Sequence, residues 1–477
     1  MTDTICALAT APGGALGIIR ISGSQALEIL SRIFHGKGEV QSYPANTIHY
    51  GHLVEYDAVS QHPIPLDEVM LSIFRAPHSY TGEDSAEITC HGSRYILNKV
   101  LELLIANGCR MANPGEYTQR AYLNGKMDLS QAEAVADLIA STNKATHQMA
   151  MSQLKGHFSS DLARLREQLL KLTSFLELEL DFSDHEDLEF ADRGELLELT
   201  KTIDSHITSL AHSFETGQAL KQGIPVAIVG KTNVGKSTLL NALLKDDRAI
   251  VSDVHGTTRD TIEDTMDING VTFRFIDTAG IRQTSDKVEQ IGITRTYAAI
   301  NRARIVLWLI DAEPTPEEAQ DIQERCRDKS LIIIQNKIDK NNFELNHSLF
   351  TVHCSLFTNP YPLIRLSAKY NQGIDALEQA IFEAANIPSL QQNDVIVTNA
   401  RHYDALLRAH DHIQRVIEGM GAKMVNGQWS MVSESLSGDL LSEDLHQALD
   451  TLAEITGGQI TPNEVLGNIF KNFCVGK

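Results

Sequence analysis

The run Gly230-Lys231-Thr232-Asn233-Val234-Gly235-Lys236-Ser237 has the residue types needed to hold a polyphosphate. It follows the apolar stretch 224–229 and precedes the helix-forming stretch 238–245, giving strand, glycine turn with G-x-x-x-x-G-K-S spacing, then helix. The glycines let backbone N–H groups curl around phosphates, and the helix N-terminus beginning near Thr238 adds its positive end. Lys236 is placed to reach the β- and γ-phosphates and the Ser237 hydroxyl to hold Mg²⁺. A glycine turn that only ends a strand has no need of the Lys-Ser pair. The spacing predicts a nucleoside triphosphate site.

The base is specified further along the chain. Asn336-Lys337-Ile338-Asp339 follows the buried-strand run 331–335. A carboxylate at Asp339 can accept from both the ring N–H and the exocyclic amine of guanine, a pairing that adenine lacks. Asn336 is expected to address the other edge of the base and help fix the loop, with the Lys337 stem over its face. Ser367-Ala368-Lys369 supplies a second loop able to offer a backbone N–H to the guanine oxygen. Each tetrapeptide alone is ordinary turn composition. Their order after the phosphate loop reads as GTP.

Residues suited to sense the γ-phosphate lie between these motifs. Thr258, in Gly256-Thr257-Thr258-Arg259-Asp260, is expected to complete the Mg²⁺ shell. Asp277-Thr278-Ala279-Gly280 follows an alternating strand at 271–276; Asp277 is expected to reach Mg²⁺ through water, and the Gly280 N–H to meet the γ-phosphate. Ras-like enzymes place a water-orienting glutamine after D-T-A-G. Ile281 stands there in this chain. No arginine finger is evident from the motifs, and the nearest acidic residue able to handle the water is Glu289.

These motifs need about 165 residues of a chain of 477, a length that calls for about three domains. Hydrophobic residues make up 42% and charged residues 22%, the balance of a globular protein. No run of about eighteen apolar residues occurs. The start MTDTICALATAPGG lacks the regions of a signal peptide, so a cytoplasmic protein outside the membrane is expected. Six scattered cysteines, with no paired Cys/His spacing, read as reduced thiols and not as a zinc site. A net charge of −21 argues against unaided tight binding to nucleic acid, so an RNA substrate requires a partner or a local basic patch.

Residues 1–124 alternate short apolar runs with Gly/Pro turns and one helical stretch near 94–107, as an α/β domain would. From 125 to 222 the pattern is helical. Ser130 and Glu133 have capping-box spacing, Gly156 is a weak point, and a further helix is expected at about 192–221. The GTPase module takes 223–387. Helical stripes return at 398–420 and 435–455, within a last segment of 388–477. Neither helical half can bury its stripe alone. One discontinuous helical domain with a Ras-like P-loop GTPase domain inserted in it is the economical fold, multidomain α/β plus α.

The chain resembles the MnmE (TrmE) family of tRNA-modification GTPases, of the TrmE-Era-EngA type, almost from end to end. The resemblance lies in Asp3-Thr4-Ile5, in Gly17-Ile18-Ile19-Arg20-Ile21-Ser22-Gly23, in Thr81-Gly82-Glu83-Asp84 and in His91-Gly92. Pro114-Gly115-Glu116-Tyr117-Thr118-Gln119-Arg120 and the ending Phe473-Cys474-Val475-Gly476-Lys477 carry it further. The departures are small: Cys90 and Ser93 flank His91-Gly92 where a glycine-rich run is usual, and Val475 stands where isoleucine is commoner.

The resemblance implies a tetrahydrofolate-binding N-terminal domain that also forms a homodimer. It implies that Arg20, Glu87 and Lys126 contact the folate, with Lys477 contributing from the C-terminus. It implies K⁺ at Asn233, aided by loop atoms around Ser252, Val254 and Thr257, and Glu289 as the residue that positions the water. Cys474 becomes a candidate for one-carbon chemistry at the folate. The family acts with the flavoprotein MnmG (GidA) in a heterotetramer-type complex that places an aminomethyl or carboxymethylaminomethyl group on carbon 5 of the wobble uridine of certain tRNAs. The carbon comes from a folate such as 5,10-methylene-tetrahydrofolate; 5-formyl-tetrahydrofolate is the related ligand.

Two other readings stand beside this one. A ribosome-assembly GTPase that docks on RNA according to its nucleotide calls for a basic appendage, which the acidic balance does not offer. A stand-alone folate aminomethyltransferase regulated by GTP is compatible with residues 1–126. The lack of a flavin motif makes a separate redox partner the more economical arrangement.

Overall fold

The computed structural model describes residues 3–56, 62–181, 193–245, 264–276, 297–340, 361–387, 395–425, 428–431, 438–458, 469–470, 473 and 476. They fall into two compact units: Met1–Ala140 with Ala150–Thr208 and Asp404–Lys477, and Ser141–Met149 with Ser209–Tyr403.

The first unit begins with a sheet of β1 (Thr4–Leu8), β2 (Leu16–Ser22), β3 (Phe34–Gly36), β4 (Thr47–Tyr56), β5 (Pro63–Phe74), β6 (Ser85–His91) and β7 (Cys109–Met111). Their order is β3-β4-β5-β6-β2-β1-β7. Period-2 alternation decides its faces. Ala86, Ile88 and Cys90 of β6 are buried with Ile19, Ile21 and Leu71, under the helices α1 (Ala26–Ile33) and α2 (Arg94–Ala106). Glu87 and Thr89 therefore face the other way, opposite Arg20 and Ile18. Burial pushes the Cys90 thiol up to about 11, as expected of a packing thiol. Cys6, Cys90, Cys109 and Cys326 are all free and buried; Cys354 and Cys474 lie outside the described residues.

Helix α3 (Glu116–Leu123) grows from the Pro-Gly-Glu-Tyr motif. Gly115 has φ 68°, and a Cβ there would stand 2.8 Å from Cβ of Phe473, so the glycine admits the C-terminal segment. Arg120, 1% exposed, gathers three carboxylates: Nη2 donates to Asp3 Oδ1 (2.9 Å) and Glu116 Oε1 (2.9 Å), and Nη1 to Glu83 Oε2 (3.1 Å). Burial alone would raise the Glu116 pKa, but hydrogen bonds from Arg110, the Asn113 N–H and Arg120 outweigh it and lower it. Asp3 is lowered as well, chiefly by Arg110.

A group depressed in the folded state stabilises it above the unfolded pKa, about 4, and loses that contribution as pH falls through the folded value. Arg120→Met, which takes the guanidinium from Glu83 and leaves Asp3 and Glu116 to Arg110 alone, is expected to cost about 3 kcal/mol in urea denaturation at neutral pH. A loss below about 1 kcal/mol would mean the network does not anchor this unit.

Helix α4 (Leu129–Ala140) begins differently from the expectation. Asp128 caps it, accepting from the Gln131 N–H at 2.9 Å while Gln131 Oε1 accepts from the Asp128 N–H at 3.0 Å. The capping box is Asp128/Gln131 and not Ser130/Glu133; Ser130 already lies inside the helix and donates its hydroxyl to Asp128. The helical run also breaks twice, giving α5 (Lys144–Leu154) and α6 (His157–Asp181) around Gly156.

Helices from both ends of the chain meet in this unit. The stretch 193–208, which opens α7 (Arg193–Gln222), is pinned to 404–419 of Ala400–Gly419, where Asp204 Oδ1 lies 2.7 Å from His410 Nδ1 and Gln414 donates to Asp204 at 2.7 Å. His446 of helix Gly438–Thr456 lies 2.9 Å from Glu177 of α6. No helix among the described residues is long and apolar enough to cross a membrane.

The second unit holds a six-stranded sheet of β8 (Ile224–Gly230), β9 (Asp264–Ile268), β10 (Val271–Phe275), β11 (Ile305–Ile310), β12 (Ser330–Gln335) and β13 (Leu363–Arg365), in the order β13-β12-β11-β8-β10-β9. All pairs are parallel except β9–β10. Both faces are covered. Val226, Ile228, Leu307 and Ile332 pack with Leu239 and Leu377, while Ala227, Val229, Trp308 and Ile333 pack with Ile300 and Ala319. Residues 141–149 belong here although their sequence continues the helical run. Ala145 is buried in this core, its N–H donates to the Gly270 carbonyl at 2.9 Å, and Asn143 donates to Thr272 at 2.8 Å.

Candidate functional site

The central strand β8 ends in the phosphate loop, and helix α8 (Lys236–Lys245) starts from it. Gly235 has φ 105°, and a Cβ there would collide with the Asn336 amide, so the loop can close only on glycine. Lys236 Nζ donates to the carbonyls of Gly230 (2.7 Å) and Lys231 (2.8 Å). Burial lowers its pKa from the ordinary lysine value. Asn233 sits in the left-handed region at φ 63°.

Three loops from separate strand ends interlock here. Asn336, 3% exposed, donates through Nδ2 to the Val234 carbonyl (2.8 Å) and accepts through Oδ1 from the Ala368 N–H (3.1 Å). The Asn336 amide thus joins loop to loop, and of the backbone N–H groups of the Ser-Ala-Lys loop that of Ala368 is engaged by Asn336. Ser367 donates its hydroxyl to Asp339 Oδ1 at 2.7 Å, the main cause that lowers the Asp339 pKa. Asp339 is therefore a carboxylate at neutral pH, as a guanine acceptor must be. Lys337 Nζ donates to the Asn233 carbonyl and to Asp311 Oδ2, both at 2.7 Å. Ser237 and Thr238 open helix α8 directly after the phosphate loop, and Lys369 lies on the Ser-Ala-Lys loop. Ser252, Val254, Thr257, Thr258, Asp277, Thr278, Ala279, Gly280 and Glu289 lie outside the described residues, as do Cys474 and Lys477.

A second candidate site lies in the first unit. Arg20 Nε donates to Glu87 Oε1 at 2.7 Å across the β2–β6 pair, and Arg20 Nη1 donates to the Gly476 carbonyl at 3.1 Å. Together with Phe74, Tyr80, Thr81 and Tyr117 they line a small cleft. The Tyr117 hydroxyl donates to the Arg20 carbonyl at 3.0 Å, and burial raises both tyrosine pKa values. Lys126 is not in the lining: its Nζ donates to the Pro77 carbonyl at 2.8 Å, and its stem packs beside Gly82, next to the Tyr80–Thr81 rim. Phe74, Tyr80 and Tyr117 escaped the sequence reading, although Tyr80 and Tyr117 stand inside or beside the Thr-Gly-Glu-Asp and Pro-Gly-Glu-Tyr motifs.

A phosphate loop wired to Asn-Lys-Ile-Asp and Ser-Ala-Lys loops at one end of a parallel sheet is the nucleotide site of a P-loop GTPase. The chain also matches the family models described as GTP-binding protein TrmE N-terminus, over residues 4–126, and MnmE helical domain, over residues 129–474. It belongs to the MnmE (TrmE) family. Curated relatives, each called tRNA modification GTPase MnmE, align along the whole chain. The Phocaeicola vulgatus protein is 52% identical over 510 residues and that of Bacteroides thetaiotaomicron 51% over 484, each alignment covering 100% of this chain and 99% of the relative. The Christiangramia forsetii protein is 49% identical over 492 residues, with 100% of both chains covered.

Proposed function

We propose that this GTPase drives a cytoplasmic tRNA-modifying complex, in which a folate-borne carbon is placed on carbon 5 of a wobble uridine with the flavoprotein MnmG (GidA) as redox partner. The observation that carries the reading is the Arg20–Glu87 cleft with the C-terminal Gly476 carbonyl on Arg20. A tetrahydrofolate fits its chemistry: aromatic walls for a flat heterocycle, a carboxylate for ring N–H groups and a guanidinium for the anionic tail. Arg20, Glu87, Lys126 and Lys477 would hold it, and the bound folate would supply the one-carbon unit. Cys474, two positions before Gly476 in the sequence, would supply a thiol to that chemistry.

In the nucleotide site Ser237 and Thr258 would hold Mg²⁺, Asn233 with Ser252, Val254 and Thr257 would hold K⁺, and Glu289 would orient the water that Ile281 cannot. A homodimer through the N-terminal sheet has support in its outer face. Ile48, Tyr50, Met70 and Leu16 are 62%, 60%, 49% and 61% exposed. The strand register puts Ser72 and Ile48 in one row with Arg20 and Glu87, so this apolar face runs directly into the cleft.

Nucleoside analysis of tRNA from a deletion strain tests the function. The wild-type gene should restore the modified wobble uridine, and Arg20→Ala should not. By calorimetry, 5-formyl-tetrahydrofolate should bind Arg20→Ala and Lys126→Ala more weakly, Arg20→Ala the more so, with GTP turnover largely intact in both. Unchanged folate affinity in both variants would remove the folate assignment, and normal tRNA in the deletion strain would remove the function.

A further inference from the structure

The end of β11 lies between the two loops that meet at Asn233. Leu309 pairs with Gly230 on one side and Ile310 with Gln335 on the other, so the next residue, Asp311, emerges between the phosphate loop and the Asn-Lys-Ile-Asp loop. Asp311 belongs to none of the guanine-nucleotide motifs. Its Oδ2 nevertheless takes the Lys337 ammonium at 2.7 Å, and the same ammonium reaches the Asn233 carbonyl at 2.7 Å. Both Asn233 (φ 63°) and Lys337 (φ 61°) are non-glycine residues in the left-handed region. Such a conformation is strained and persists only where neighbours fix it.

We propose that Asp311 is a positioning residue for the monovalent-cation site, holding the Lys337 ammonium on the Asn233 carbonyl and so keeping Asn233 in its left-handed conformation. The cation role rests on the reading of Asn233 given above. The hold itself rests on geometry. The carboxylate makes a charge-assisted bond that fixes where the flexible lysine stem ends, and the carbonyl receives a donor from that fixed point. With Asp311 neutralised, Lys337 keeps only a neutral acceptor and swings more freely. The loop then visits ordinary backbone conformations at Asn233, and the side-chain amide leaves the position a cation needs.

A second carboxylate from the same connection serves as the control. Glu318 pairs with Lys231 of the phosphate loop at 2.7 Å, through an ammonium that is 67% exposed, and otherwise bonds Thr315 at the start of its own helix; among the described residues it makes no bond to Asn233. Glu318→Gln removes a like charge from the same connection without touching the hold on Asn233.

The test uses full-length Asp311→Asn, Asp311→Ala and Glu318→Gln proteins. Three quantities are read: the K⁺ concentration for half-maximal GTP turnover, the affinity for a fluorescent GDP, and amide exchange across residues 231–235. Both Asp311 variants should need about tenfold more K⁺ and exchange the loop amides about tenfold faster, the scale of one lost charge-assisted hydrogen bond. GDP affinity should stay within about threefold, since the other loop-to-loop bonds through Asn336 remain. Glu318→Gln should resemble wild type in all three. If wild type responds to K⁺ and Asp311→Asn shows an unshifted requirement, the proposal fails while the cation reading stands. If wild type shows no K⁺ preference, the cation reading fails, and unchanged amide exchange in the variants overturns the hold as well. A parallel fall in GDP affinity and K⁺ response would mark Asp311 as merely structural and also overturn it.

Discussion

Asp339→Asn is expected to move the enzyme from GTP to xanthosine triphosphate. The Asp339 carboxylate receives the Ser367 hydroxyl on Oδ1, and that bond lowers its pKa, so it is charged throughout the neutral range. A charged carboxylate accepts the guanine ring N–H and exocyclic amine together. Asparagine offers a donor in place of one acceptor, which suits the second ring carbonyl of xanthine and opposes the guanine amine. Sites built on such hydrogen bonds discriminate by about 10⁴–10⁵. The steady-state kcat/KM of wild type and variant with GTP, xanthosine triphosphate and ATP reads the switch directly. Wild-type hydrolysis of ATP at a rate near that of GTP would remove the base assignment.

The nucleotide site was legible in the sequence because each of its parts is local. A glycine turn between strand and helix needs eight consecutive residues, and the guanine loops are short peptides after apolar strands. The wiring among those parts was not legible. That Asn336 joins Val234 to Ala368 depends on the strand order, which brings together residues about 100 and 32 positions apart. The N-terminal cleft is harder still. Arg20 meets Glu87 across 67 residues and Gly476 across 456, and neither spacing has a period that a sequence displays. Only the family resemblance brought Arg20 and Glu87 together in advance.

The helix start at Asp128 shows a different limit. Ser130 and Glu133 satisfied the spacing of a capping box, but Asp128 and Gln131 satisfy it two residues earlier, and hydrogen bonding selects between them. At residues 141–149 the helical pattern holds from Lys144 onward, but tertiary burial decides which unit it joins, because Ala145 packs into the core of the second unit.

Hydrolysis of GTP should be faster in K⁺ than in Na⁺ at equal ionic strength, and Asn233→Ala should abolish the difference. Ile281 cannot orient the water, and no arginine finger is evident from the motifs, so the charge that develops between the β- and γ-phosphates needs another counterion. Asn233 is held at the phosphate loop by the Lys337 bond to its carbonyl, in a conformation that turns it away from the ordinary course of the chain. A cation bound by its side chain and by carbonyls of the 252–257 loop would stand where an arginine finger acts. Such a finger is worth about 10³–10⁵ in rate, so loss of the cation should cost a large part of that range. Size gives the selectivity: a ring of carbonyls set for K⁺ cannot all reach Na⁺. If the protein is the proposed dimer, a 252–258 loop ordered by the cation would give each GTPase domain a face for its counterpart, so K⁺ with a transition-state mimic should bring the two domains together. Turnover in K⁺ and Na⁺, a distance probe between the two GTPase domains, and GDP affinity of Asn233→Ala form one experiment. The variant should keep its nucleotide affinity and lose both the K⁺ response and the pairing. Equal rates in the two salts, with Asn233→Ala indistinguishable from wild type, would assign the counterion role to some other group.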